Sequence, residues 1–381
     1  MTFEESSLGN FANRSSSKWR RYPADVLPMH VAEMDYEVAV EIREKLHDLV
    51  SRSDLGYLGP VPELAKAFEK YALEKWGWQI QKQNLKLATD VGVAAVEILR
   101  VVTKPGDKVL INSPVYSSFY HWIHEVGAVE HDVPLKLEGN SWRLDLEAIE
   151  EAFKAGVKVY MICSPQNPVG TIHSARELKA ISDLANQYGV LVISDEIHAP
   201  LSFETFTPYL AVEGADRNGI VITSSSKAWN TAGLKAGFLI YQSDEVAKRI
   251  QGIPEAMHWR SSLLGAFAMT VAFDSCDYWI DETNARLQQN LSHLRAEVEK
   301  QLPKAKMFDH RATYLAWIDL TDYELAKPQA EILRHGVALV PGEDHAPGDE
   351  YSNFVRFNFA CSKERITEAV RRMRLALEGG N

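Results

Sequence analysis

Between about residue 85 and residue 245, short apolar, β-branched runs alternate with helical patterns, and nothing else in the chain constrains the fold as tightly. The runs are 108–112, 157–163, 190–194, 219–223 and 236–241. Between the second and third, Leu178, Ile181, Leu184 and Ala185 fall on one helical face, and Gly189 follows as a helix stop. Runs this short and apolar suit strands buried on both faces, the condition of a parallel sheet covered by its own crossover helices. The last third of the chain differs. A long helical pattern near 280–302 ends at Pro303, then come a strand-like 314–319, a helix near 328–335, a strand-like 354–359 and a charged final helix. The expectation is an α/β chain in two parts. Residues 39–275 form a large domain with a mostly parallel mixed sheet, and residues 1–38 join 276–381 in a smaller α+β domain.

Bulk properties narrow the partners. A chain of 381 residues exceeds what one compact core usually holds. Its net charge of −11 argues against nucleic acid and anionic membranes. Cys163, Cys276 and Cys361 are scattered, an odd count without a paired motif, which implies reduced thiols, no metal site and no disulfide framework. The opening Met-Thr-Phe-Glu-Glu-Ser lacks the basic and apolar blocks of a targeting peptide. No apolar run approaches the ~20 residues of a membrane helix. A soluble, cytoplasmic protein is expected.

The polar residues worth attention fall just past the carboxyl ends of the apolar runs. Ser113-Pro-Val-Tyr116 follows the first run, and Ser164-Pro-Gln-Asn167-Pro-Val-Gly170 the second. Asp195-Glu-Ile-His198 follows the third, and Ser224-Ser-Ser-Lys227 the fourth. Each alone reads as turn chemistry or a solvated charge. Ligands of open α/β sheets bind outside the carboxyl ends of the strands, so four such segments in register point to one crevice.

Their chemistry suits pyridoxal phosphate. Lys227 supplies an amine for a Schiff base with the cofactor, and Asp195 a carboxylate for its pyridine nitrogen. Asn167 supplies a donor for the ring phenolic oxygen, and Tyr116 a flat phenol to stack on the ring. The phosphate wants a helix N-terminus, which the Gly92–Val93 backbone offers, with the Ser224 hydroxyl and the Lys235 cation beside it. Trp122, Trp229, Trp259 and Arg260 are candidates for shaping a pocket, though core or interface roles suit them better.

These residues resemble the fold-type I, aspartate-aminotransferase-like superfamily of pyridoxal-phosphate enzymes over nearly the whole chain. The resemblance rests on Ser-Pro-Gln-Asn167-Pro-Val-Gly, Asp195-Glu-Ile-His198, Ser224-Ser-Ser-Lys227 and Phe354-Val-Arg356-Phe-Asn-Phe. It implies that Arg356 binds a substrate α-carboxylate in a bidentate pair. Within the superfamily the chain is most similar to the cystathionine β-lyase branch, the MalY/PatB-like carbon–sulfur lyases. Asp25-Val-Leu-Pro-Met-His-Val-Ala-Glu-Met-Asp35-Tyr, Lys75-Trp-Gly-Trp78, Ser113-Pro-Val-Tyr116-Ser-Ser-Phe-Tyr120 and Asn358-Phe-Ala-Cys-Ser362 carry that likeness. It further implies that the Ala32–Glu33 backbone lies near the substrate carboxylate. Tyr57 would reach the phosphate of a neighbouring subunit, in a homodimer with shared active sites.

Three positions depart from the pattern. Glu33 stands where the family usually has Asp, Lys235 stands for the usual phosphate arginine, and His198 stands where aminotransferases commonly have Tyr. The activity implied is β-elimination on L-cystathionine or a related cysteine thioether, giving a thiol, pyruvate and ammonia. Lys227 acts as the base, with Lys227 or Tyr116 protonating the leaving sulfur. An amino-acid aminotransferase is the first alternative, and a regulatory binding protein on the same fold the second.

Overall fold

The computed structural model describes residues 13–379. The N-terminal hexapeptide considered above, like the rest of residues 1–12, lies outside the described residues. Seven strands make the main sheet: β1 (Leu85–Ala88), β2 (Lys108–Ile111), β3 (Val129–Asp132), β4 (Val159–Cys163), β5 (Leu191–Asp195), β6 (Gly219–Thr223) and β7 (Gly237–Ile240). Their order is β1-β7-β6-β5-β4-β2-β3, with β7 antiparallel to both neighbours and every other pairing parallel. All five apolar runs are therefore strands. The β1 and β3 strands were not anticipated, because Leu-Lys-Leu-Ala and Val-Glu-His-Asp carry charges that an edge position tolerates.

The three central strands are buried at every residue. Alternate side chains enter opposite layers. Tyr160, Ile162, Val192 and Val221 join one cluster, while Val159, Met161, Ile193 and Ile222 join the other. Each such aliphatic side chain taken from water contributes about 1.5–3 kcal/mol. On the second face lies α1 (Val91–Val102), whose Ala94, Ile98 and Leu99 pack on the sheet. On the first face lies Ala175–Tyr188, opened by a Ser174–Glu177 capping box and closed by Gly189 at φ 69°.

The smaller sheet is antiparallel. Its strands β8 (Lys306–Met307), β9 (Leu315–Asp319), β10 (Val340–Pro341) and β11 (Phe354–Asn358) take the order β8-β9-β11-β10. Arg356 on β11 stands in register with Trp317 and Val340. The helix Leu263–Ser275 ends at Cys276, where Asp277–Gln301 begins.

A strap, residues 27–36, ties these layers together. Leu27–Pro28 pairs in parallel with Val337–Ala338. The Asn358 amide then holds the carbonyls of Val31 and Glu33, and the Asn230 side chain holds Met34 at both its N–H and its carbonyl. Asp35 anchors the strap. It is 3% exposed and meets Lys18 at 2.6 Å and Arg365 on the other side. A buried carboxylate shared by two buried cations is stable only while all three are present.

Asp35→Asn removes the buried carboxylate charge that Lys18 and Arg365 share. It is expected to lower unfolding stability by about 3–5 kcal/mol in a denaturant titration.

Candidate active site

The carboxyl ends of β1, β2, β4, β5 and β6 all open on one side of the sheet, and a cavity of about 450 Å³ lies there. Residues that follow all five strands line it together with Arg356 and strap residues His30, Val31 and Ala32. It therefore sits where the sheet, the strap and the smaller sheet meet.

Lys227 stands after β6 and reaches back to the strap, its Nζ 3.3 Å from the Ala32 carbonyl. Burial pushes its amine down to about 8, helped by the Arg356 guanidinium and opposed by Asp195 and Glu33. Asp195 ends β5. Burial raises its carboxyl to about 7, while the Ile197 N–H at 3.1 Å and the charge of Lys227 pull the other way. His198 lines the same wall, and burial, then Lys227 and Arg356, lower its imidazole to about 3, so the ring is neutral. Its Nδ1 is buried without a hydrogen-bond partner among the described residues.

Arg356 is buried and is lowered to about 10 chiefly by that burial. Its Nη1 donates to Asn167 Oδ1 at 3.3 Å and its Nη2 to the His30 carbonyl at 3.1 Å, leaving Nε buried without a partner among the described residues. Asn167 belongs to a turn braced from beneath by Gln166. That amide donates at 2.9 Å to the carbonyls of both Asn112 and Pro114. The loop so held presents Tyr116, whose ring meets Trp122 edge-on at 6.0 Å.

A second group gathers at the start of α1. Asp90 caps the helix by accepting from the Val93 N–H at 2.9 Å. That occupies Val93, and the backbone bordering the cavity is that of Val91 and Gly92. A Cβ on Gly92 would stand 3.0 Å from the Trp122 indole, so any side chain there would press on that ring. Lys235 pairs with the other Asp90 oxygen at 3.1 Å and stays largely exposed at the cavity rim. The Ser224 hydroxyl is turned inward instead, donating to the Ala236 carbonyl at 2.6 Å. The hydroxyl residue lining the cavity is Ser226, bonded to Ser224 at 2.6 Å.

The structure thus gathers Lys227, Asp195, Asn167, His198, Tyr116, Gly92, Lys235, Arg356 and Ala32 around one space. Glu33 is not among the lining residues. Its carbonyl is held by Lys18 and Asn358, and its carboxylate by Ser16. Tyr57 lies elsewhere, 94% exposed. Of the tryptophans, Trp122 lines the cavity, while Trp229 is core, its indole N–H donating to the Cys276 carbonyl at 2.9 Å. Sequence reasoning missed Ser226, Val91, Gln166 and Asn230. A lysine-adjacent serine was the signal available for Ser226, and Val91 adjoins the Gly92 already named; Gln166 and Asn230 are defined by partners more than 50 residues away.

The donor set fits pyridoxal phosphate. A deeply buried carboxylate suits a pyridinium nitrogen, and an amine held near neutrality suits a carbonyl. A helix start with a glycine, a serine and a lysine suits a phosphate dianion.

A family model described as aminotransferase class I and II matches residues 24–373. The chain is 36% identical, over 96% of its length and 95% of the other, to a Mycobacterium tuberculosis (strain H37Rv) protein provisionally named a cystathionine β-lyase. It is 30% identical to the cystathionine β-lyase of Corynebacterium glutamicum, over 98% of this chain and 99% of that one. Cystalysin from Treponema denticola, solved with a pyridoxal 5′-phosphate cofactor, superposes with a TM-score of 0.93 at 26% identity, covering 100% of both chains.

The lowered amine gives a direct test. In cofactor-free protein, acylation of Lys227 by an amine reagent, followed by peptide mapping, is expected to rise with pH through a midpoint near 8. Arg356→Met removes a neighbouring positive charge and should move that midpoint upward.

Proposed function

The chain belongs to the class I and II aminotransferase family, and from that premise we propose a pyridoxal-phosphate-dependent carbon–sulfur β-lyase that cleaves L-cystathionine or a related cysteine thioether. The buried Lys227 amine among Asp195, Asn167 and Arg356 would serve elimination and amino transfer alike. Full-length likeness to proteins named cystathionine β-lyase selects elimination.

When bound, the cofactor supplies an electron sink that makes the substrate Cα–H bond acidic. Asp195 would hold the pyridine nitrogen and Asn167 the phenolic oxygen, with Tyr116 against the ring. Val91, Gly92, Ser226 and Lys235 would hold the phosphate. Arg356 offers its Nε and an Nη to the α-carboxylate, and this fixes the Cα–H bond toward Lys227. Lys227 is neutral in a useful fraction near pH 8, so it can take the Cα proton. The Cβ–S bond then breaks with its electron pair on sulfur. Lys227, now protonated, or the Tyr116 phenol returns a proton to the thiolate. Hydrolysis of the released enamine yields pyruvate and ammonia. His198, held neutral, adds no charge to compete with Lys227 or Arg356.

We read the protein as a homodimer with shared sites, because Tyr57 at 94% exposure and Leu55 at 58% contribute little to their own subunit's core. Tyr57 would then reach the partner's phosphate site. The scattered, buried Cys163, Cys276 and Cys361 support a reducing, cytoplasmic setting. No described helix is long and apolar enough to cross a membrane. We also take residues 39–275 as the large domain and 1–38 with 276–381 as the smaller one. The Cys276 break and the Leu27–Pro28 pairing with Val337–Ala338 support that division.

The decisive assay supplies L-cystathionine to the cofactor-loaded protein without a keto-acid acceptor. Thiol and pyruvate should be released continuously in equal amounts, and Lys227→Ala should lower the rate by about a hundredfold or more. Absence of thiol, with amino transfer on adding a keto acid, would overturn the lyase assignment.

A further inference from the structure

Lys235 is tied to a carboxylate at the place where the cofactor's phosphate is to be held. Its backbone takes a left-handed φ of 55°, and the Ser262 N–H donates to its carbonyl at 3.3 Å. β7 begins two residues later and packs closely on the start of α1. A Cβ on Gly237 would lie 3.2 Å from both the Asp90 carbonyl carbon and the Val91 nitrogen. The two backbones are thus fixed against each other, and the Lys235–Asp90 contact at 3.1 Å follows from the fold. Asp90 is kept at the helix start, because its other oxygen accepts from the Val93 N–H at 2.9 Å. Both residues line the cavity with Val91, Gly92 and Ser226.

A phosphate on the Val91 and Gly92 N–H groups therefore has a carboxylate for a neighbour. The positive end of α1 favours an anion, and Asp90 already occupies part of it. A lysine ammonium gathers its three donors on one nitrogen, whereas an arginine spreads five over a fork that can serve two anions. With side-chain exposures of 60% for Lys235 and 34% for Asp90, their pair is screened by water and easily broken. We propose that Asp90 sets the protein's affinity for its cofactor by competing with the phosphate. Lys235 leaves Asp90 for the phosphate when the cofactor binds, and the carboxylate left behind repels the dianion and loosens its hold. The inference rests on the phosphate site proposed above and is independent of the choice between elimination and amino transfer.

The test measures, by visible absorbance, how tightly the full-length protein binds pyridoxal 5′-phosphate and pyridoxal, which lacks the phosphate. The ratio of the two dissociation constants isolates the phosphate contacts. Asp90→Asn keeps an oxygen for the Val93 N–H, and asparagine caps helices as well as aspartate does. This variant should tighten pyridoxal 5′-phosphate about tenfold and leave pyridoxal unchanged, because one repelling charge is gone. Lys235→Gln should weaken pyridoxal 5′-phosphate about tenfold, again without effect on pyridoxal. An unchanged ratio in Asp90→Asn, or one that moves toward weaker phosphate binding, would overturn the proposal. If Lys235→Gln still acts on the phosphate compound alone, the phosphate site itself stands. Equal affinity of the wild type for both compounds would remove the site and the proposal together. Should Asp90→Asn fail to fold, Lys235→Arg decides: its fork should serve both anions and tighten pyridoxal 5′-phosphate alone, and an unchanged ratio would sink the competition.

Discussion

A strand bonded in parallel to its neighbour must end at the same edge as that neighbour, and the site follows from this constraint. Each crossover returns the chain to the opposite edge, so β2, β4, β5 and β6 all deliver their following loops to one side. β7 is the exception that completes the arrangement. Running antiparallel, it starts at the edge where the others finish, and this brings Lys235 beside Asp90 and the start of α1. Tyr116, Asn167, Asp195 and Lys227 lie far apart in sequence, yet the hydrogen-bond ladder alone aligns them.

Burial then sets their chemistry. The same loss of water raises Asp195, lowers Lys227 and keeps His198 neutral. Asp195 and Lys227 partly offset each other, while Arg356 works against the protonation of Lys227. The result is an amine able to act as a base near neutral pH, beside a guanidinium that stays charged. The guanidinium keeps its charge despite burial, but the amine's basicity does not belong to the residue type: it comes from the smaller sheet and strap closing over the ends of the larger one.

The strap matters because it belongs to neither sheet yet borders the cavity. Bonds through Asp35, Asn230 and Asn358 hold it, and its His30 and Ala32 carbonyls meet Arg356 and Lys227. Asn230 adopts φ 57°, a left-handed conformation that asparagine tolerates better than most residues. Its amide gains the hydrogen bonds that accompany that conformation.

The sequence by itself determined five of the seven strands of the main sheet and the polar residues that follow four of them. Period and β-branching are local properties, and four polar clusters in step with four apolar runs leave few other arrangements. Lys227, Asp195 and Asn167 were legible for that reason, and Arg356 through the resemblance of its Phe354-Val-Arg356-Phe-Asn-Phe segment. Tertiary structure decided which neighbour faces the cavity: Ser226 while Ser224 turns inward, Val91 and Gly92 while Asp90 claims Val93, and Ala32 while Glu33 is held from behind. It also decided that Arg21 and Val340, more than 300 residues apart, line the same cavity. A hydrogen bond or a charge acts through space, and its partner is fixed only when the chain has closed on itself.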